Sequence, residues 1–126
     1  MAGKDCYFCR LPQERIWAES GNSIAFFDAY PVSEGHALVI PKRHVIILHE
    51  LPVSELQEIW SFVARIRFML KEKYNPDGFN IGVNEGGAAG QTIGHAHIHI
   101  IPRRTGDVSD PRGGVRWVMP HKAKYW

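Results

Sequence analysis

His95-Ala96-His97-Ile98-His99-Ile100-Ile101 sets three histidines alternately with apolar residues. Alternate side chains of an extended chain share a face. The segment therefore predicts a strand with three imidazoles on one face, roughly 6.5 to 7 Å apart at about 3.3 Å per residue. Ala96, Ile98 and Ile100 turn the other way, into a core. Three adjacent groups that titrate near neutrality do nothing to stabilise a strand. A solvated polar face is the plain alternative for one such histidine, but three at period two, behind a glycine-rich loop, point to chemistry.

Outward from this segment the chain reads as α+β. Residues 15–19, the turn Ser20-Gly21-Asn22 and residues 23–28 form a hairpin pattern. His36-Ala37-Leu38-Val39-Ile40 is a third strand, closed by Pro41. Ser54 offers an N-cap with Gln57 three residues on, and Leu56, Ile59, Trp60, Val63, Ile66 and Leu70 follow at helical spacing. This long helix ends before the turn Asn75-Pro76-Asp77-Gly78. Residues 78–83 and 95–101 supply two more strands, giving a sheet of about five with one long helix.

The loop Asn84-Glu85-Gly86-Gly87-Ala88-Ala89-Gly90-Gln91-Thr92 joins those last two strands. Its glycines let backbone N–H groups approach an anion closely. No Gly-Lys-Ser/Thr ending follows, and the next element is a strand, so it is not a Walker A loop. A loop of small residues is often only a turn. This one is set apart by ending beside the histidine face.

The segment His-φ-His-φ-His-φ-φ, with φ apolar, resembles the histidine-triad signature. Phe27-Asp28, the block Gly35-His36-Ala37-Leu38-Val39-Ile40-Pro41-Lys42-Arg43-His44, the loop from Asn84, and Pro102-Arg103-Arg104-Thr105-Gly106-Asp107 extend the likeness to roughly residues 5 to 120. The match leans toward the fragile-histidine-triad and diadenosine polyphosphate hydrolase group and its zinc-containing bacterial branch. The resemblance implies an antiparallel histidine-triad fold with shorter helical turns, a single domain over residues 1–126, and His97 as nucleophile. It also implies phosphate contacts from Asn84, Gly90, Gln91, Thr92 and His99, a supporting His36, and ribose recognition by Asp28. A carboxylate suits that role because it accepts two hydrogen bonds. Without the family match, Asp28 reads as the start of a turn, His36 as a satisfied core histidine, and Gln91 and Thr92 as loop polar groups.

Neutral imidazole is a good nucleophile near pH 7, and its attack on an α-phosphate splits hydrolysis into nucleotidyl transfer and breakdown of a phosphohistidine. Phosphoryl chemistry beyond that is mainly positioning and charge stabilisation, which is the work assigned to the polar residues around His97.

Cys6-x-x-Cys9 holds the only two cysteines. In a reducing compartment this spacing suggests a metal or a redox pair before a structural disulfide. Zinc takes four Cys and His ligands in closed structural sites. The bacterial branch that this sequence resembles completes such a set with the residues matching His44 and His95. His49 is the alternative third ligand, and a redox dithiol or two buried thiols the alternative to metal.

Composition bounds the rest. In 126 residues, 44% are hydrophobic and 15 basic stand against 13 acidic, a balance that argues against disorder and suits one small domain. A net charge of +2 with no Lys/Arg cluster argues against nucleic acid. Tyr7, Phe8 and Arg10 beside the cysteines keep a zinc-knuckle nucleic-acid binder as a minor reading. No apolar run reaches the 18 or so residues of a membrane span and the N-terminus lacks an apolar signal core, so the expectation is a cytoplasmic protein. Arg112 and Arg116 are either surface residues or phosphate ligands, and Trp117 and Trp126 hint at packing against a second subunit, as the related homodimers do.

The reading is a zinc-stabilised nucleotide hydrolase or nucleotidyl transferase acting on adenosine 5′-esters, diadenosine polyphosphates first, with a purine nucleotide as its small-molecule partner. An adenosine phosphoramidase uses the same constellation, and a nucleotide-binding interaction protein with weak catalysis is the non-enzymatic alternative. Uridylyl transfer fits less well, because the related transferases end the triad in Gln where this chain has His99.

Overall fold

The structure is a computed structural model that describes residues 5–126; residues 1–4, part of the N-terminus read above for a signal core, lie outside it. Five strands, β1 (Ile16–Glu19), β2 (Ser23–Phe27), β3 (Ala37–Pro41), β4 (Gly78–Val83) and β5 (Ile98–Arg103), form one sheet in the order β1-β2-β3-β5-β4. Every neighbouring pair is antiparallel. The chain leaves β3 for the helix α1 (Val53–Tyr74), returns as the edge strand β4, and folds back as β5 between β4 and β3.

Central β3 is buried along its whole length, whereas β5 alternates buried Ile98, Ile100 and Pro102 with partly exposed His99, Ile101 and Arg103. That alternation separates two faces. On one, Ala25, Ala37, Val39, Ile98 and Ile100 pack against Ile59, Phe62, Val63, Ile66 and Leu70 of α1. Each large apolar side chain buried there contributes about 2 kcal/mol. On the other, Phe26, Leu38 and Ile40 meet Phe8 from the N-terminal segment. Strand register lines up Phe26, Leu38, His99 and Gly82 across this second face, which places one triad histidine over an apolar floor.

The helix differs from the sequence expectation at its start and in one core residue. It begins at Val53 after Pro52, so Ser54 sits inside the first turn and makes no side-chain cap; the Pro52 carbonyl instead accepts from the N–H groups of Glu55 and Leu56. Trp60 is 43% exposed and Phe62 takes its expected place in the core. At about 100° per residue, position 62 lies about 60° from Ile59 around the helix and position 60 about 100°. The helix stops at Asn75, whose left-handed backbone (φ 48°) closes an N–H bond to the Lys71 carbonyl before Pro76. No helix among the described residues is long and apolar enough to cross a membrane.

Candidate active site and metal cluster

Only the last of the three triad histidines belongs to a strand. β5 begins at Ile98, and His95 and His97 lie in the extended approach to it, where the Ala96 N–H donates to the Val45 carbonyl. Ala96, Ile98 and Ile100 are buried as the alternation requires, but His95 and His97 are buried as well, at 0% and 8% exposure. The expected open row of three imidazoles is therefore split. His95 turns to the cysteines, and His97 and His99 to a cavity.

Each ring's proton is placed by its neighbours. Nδ1 of His97 lies 2.9 Å from the carbonyl oxygen of His95. A carbonyl only accepts, so Nδ1 carries the hydrogen and Nε2 the lone pair. The Val32 N–H donates to Nδ1 of His36 (3.1 Å), so the proton of neutral His36 is on Nε2, which donates to Nδ1 of His99 (3.0 Å). The remaining proton of His99 is thereby on Nε2. Burial holds both His36 and His99 below the ordinary imidazole range; Asp28 opposes this at both rings, and the neighbouring imidazoles reinforce it at His99. Both are neutral at pH 7.

The cavity that these rings border has a volume of about 630 Å³. Its polar side is Asp28, Asn84, Thr92 and the three histidines 36, 97 and 99, with Gly90 beside them. Its apolar lining includes Tyr7, Phe8, Phe26 and Leu38, and Arg15 lines it as well. Arg15 is held by Tyr7 Oη (3.0 Å) and the Phe27 carbonyl (2.7 Å). Sequence reading missed this apolar wall as part of the site. The signal was present in Tyr7-Phe8, the two aromatic residues enclosed by the cysteines, but had been assigned only to the nucleic-acid alternative.

Two expected ligands of the substrate are otherwise engaged. The Gln91 amide accepts from the Gly86 N–H (2.9 Å) and donates to the carbonyls of Ile46 (2.9 Å) and Ile93 (3.0 Å). It braces the loop and does not line the cavity. The backbone donors of Gly86, Ala89, Gly90 and Gln91 are likewise spent within the loop, which needs left-handed glycines at 86 and 90 (φ 88° and 91°) to close this way. Asp28 does border the cavity, but one carboxylate oxygen accepts the Tyr30 N–H (2.9 Å) and the other lies 3.5 Å from Nε2 of His36. Arg112 and Arg116 are bound within the C-terminal segment, Arg112 to Asp110 and Arg116 to the carbonyls of Lys122 and Ala123. Arg103 clamps Asp107 and reaches Asn80.

Cys6, Cys9, His44 and His95 bring one donor atom each to within 4.8 Å of one another. Nδ1 of His95 stands 3.4 Å from both sulfurs and Nδ1 of His44 3.2 Å from Cys9 Sγ. Nε2 of His95 donates to the Pro41 carbonyl (2.9 Å), so its Nδ1 lone pair faces the sulfurs. Tetrahedral zinc, with bonds of about 2.3 Å to sulfur and about 2.0 Å to nitrogen, sets S···N separations of about 3.5 Å. The donor set and its spacing suit zinc. Without a metal, burial and the adjacent Cys6 push the Cys9 thiol up to about 11. His49 is not in the cluster; its Nδ1 lies 3.6 Å from Glu85.

Residues 12–106 match the family described as HIT domain. The chain belongs to the histidine-triad (HIT) family. HIT proteins as a class are nucleotide hydrolases and transferases, and two of the curated relatives carry the names of hydrolases. The Schizosaccharomyces pombe protein named bis(5′-nucleosyl)-tetraphosphatase [asymmetrical] is 36% identical over 108 residues, covering 85% of this chain and 59% of that one. The Arabidopsis thaliana protein named adenylylsulfatase HINT3 is 40% identical over 108 residues, covering 82% of this chain and 54% of that one. This HIT chain thus spans little more than half the length of either. Among solved structures, a zinc-bound histidine triad family protein from Mycobacterium smegmatis superposes with a TM-score of 0.75 at 37% identity, covering 83% of this chain and 79% of that one.

Proposed function

We propose that this HIT protein cleaves adenosine 5′-esters at the α-phosphate through a nucleotidyl-His97 intermediate, with diadenosine polyphosphates as the first substrate class. The observation that carries the reading is the bond from Nδ1–H of His97 to the His95 carbonyl. It aims the Nε2 lone pair outward, and it holds the positive charge that the ring acquires when Nε2 bonds to phosphorus. In the first step the P–N bond forms as the bond from phosphorus to the leaving oxygen breaks, and an adenosine polyphosphate departs as an anion without needing a proton. Water then forms the new P–O bond as the P–N bond breaks; the electron pair returns to Nε2, the nucleoside monophosphate is released, and one proton of the water passes to solvent. His99, its Nε2–H fixed by His36, serves as donor to the phosphate oxygens, with Asn84 and Thr92 beside it. The apolar wall of Tyr7, Phe8, Phe26 and Leu38 suits a purine, and Asp28 the ribose.

The Cys/His cluster fits a structural zinc. All four ligand positions are filled from the protein, which leaves the ion no open site for substrate. The homodimer expected from the sequence finds support in the exposed apolar side chains Trp60 and Phe68 on α1 and Val118 and Tyr125 in the C-terminal segment.

Product analysis with diadenosine tetraphosphate, diadenosine triphosphate, an adenosine phosphoramidate and adenosine 5′-phosphosulfate tests the reading. The expected result is fastest release of adenosine nucleotides from a diadenosine polyphosphate, with an acid-labile adenylyl group on His97 in quenched samples. The relative named adenylylsulfatase and the phosphoramidase alternative make the last two compounds the competing outcomes.

A further inference from the structure

Phe8 stands between the two cysteines and touches both halves of the site. The residue is 7% exposed. Its ring meets the His97 ring edge-on at 5.5 Å and 87°, the ring of the metal-cluster residue His95 at 5.9 Å and 67°, and Phe26 at 5.2 Å and 72°. The same residue lines the 630 Å³ cavity. Its backbone lies in a short turn fastened by the Cys9 N–H to the Cys6 carbonyl (3.2 Å). A second strip of contact runs alongside, because Tyr7, Thr92 and Ile93 border both that cavity and a shallow depression over Cys6 and His44. Whatever draws Cys6 and Cys9 onto His44 and His95 therefore also sets the position of the wall against which a nucleotide packs.

We propose that metal at Cys6, Cys9, His44 and His95 and nucleotide in the His97 cavity bind cooperatively, with the Phe8 ring as the contact that couples them. The proposal rests on the nucleotide reading above and goes beyond it. A four-ligand ion closes the turn and fixes Phe8 against His97, so the nucleotide meets a formed wall. A bound nucleotide in turn presses on Phe8, Tyr7 and Ile93 and holds the cysteines in their liganding positions. Coupling between two sites is reciprocal, so each ligand must tighten the other by one common factor.

Two equilibrium measurements test it, one with AMP and one with zinc. AMP affinity is measured by calorimetry on zinc-loaded protein and on protein stripped with a chelator, and zinc affinity by competition with a chromophoric chelator with and without saturating AMP. The expected common factor is about ten, within the usual range for coupled sites. Phe8→Leu keeps apolar volume but removes the ring edge; it is expected to hold one zinc, to bind AMP more weakly than wild type in both the loaded and the stripped form, and to reduce the factor to below about two. Equal AMP affinity in loaded and stripped wild type overturns the coupling and leaves the nucleotide reading standing. Failure of AMP to bind the loaded protein overturns both. A stripped chain that unfolds, seen by circular dichroism, couples the ligands through global folding; Phe8→Leu then shows the wild-type factor, and that result overturns the assignment to Phe8.

Discussion

Nε2 of His36 hands its hydrogen to Nδ1 of His99 across 3.0 Å, and His36 can do so only while its own Nδ1 accepts the Val32 N–H. One backbone amide thus fixes the tautomer of a ring two hydrogen bonds away. A proton on either Nδ1 breaks the chain, because a protonated imidazole has no acceptor.

The first prediction follows from that chain. Burial lowers the folded-state values of His36 and His99, so between those values and the ordinary imidazole value of about 6.5 the unfolded chain binds protons that the folded chain refuses. Stability is full above about pH 6.5 and is lost as pH falls through that value toward the depressed ones. Melting temperature should therefore decline steadily from pH 7 to pH 5, and the acid limb of kcat should fall in the same range. His36→Gln should flatten the decline; an unchanged slope in that variant would remove His36 from the account.

The second concerns the nucleophile. His97→Ala should lower kcat by at least about three orders of magnitude while nucleotide still binds, since covalent catalysis is lost but the cavity walls remain. Retention of more than about a tenth of the wild-type rate would sink the mechanism. Radiolabelled diadenosine tetraphosphate in a quenched reaction reads the same point independently, by the loss of labelled protein in the variant.

Metal content gives the third. Freshly purified protein should carry about one zinc per chain, and Cys6→Ser or Cys9→Ser should lose it together with thermal stability, because the binding free energy of a structural zinc is folding free energy. The fall in melting temperature should exceed what the loss of nucleotide affinity alone implies. Zinc-free protein with the wild-type melting temperature would return both cysteines to the dithiol reading.

A thermodynamic cycle on Asp28 is the fourth. A 2′,3′-dideoxy nucleotide should bind more weakly than its ribose parent by about 1.5–3 kcal/mol for each charged hydrogen bond lost, and Asp28→Ala should abolish most of that discrimination. The two changes are then non-additive. Equal discrimination in wild type and variant would leave Asp28 as a partner of Tyr30 and His36 alone.

Sequence periodicity located all five strands and the helix, because period two and period 3.6 are written by which side chains must be buried. It placed the start of β5 three residues early, since His95 and Ala96 alternate like strand residues but bond to Pro41 and Val45 and not to a neighbouring strand's register. The residues brought to one cavity, Asp28, His36, Asn84, Gly90, Thr92, His97 and His99, were legible as types with suitable spacing. Gln91 was not legible as a brace, because an amide that closes a loop and one that meets a phosphate look alike until the acceptors are located. Phe8 escaped for a related reason. Two adjacent aromatics between two cysteines have no period, and only the fold reveals that the second of them is shared by two sites.

His95 also does something for the sheet. The β3–β5 pairing ends at Val39 opposite Ile98, and beyond it the carbonyl of Pro41 is met by an imidazole N–H in place of a main-chain amide. The side chain acts as a prosthetic rung, prolonging the ladder past the point where the backbone abandons it. Cysteine at this position could offer zinc a thiolate but no donor for Pro41. The four corners of the cluster are therefore unequal under substitution: a ligand swap at 95 leaves an orphaned carbonyl at the end of the central strand, whatever the metal tolerates.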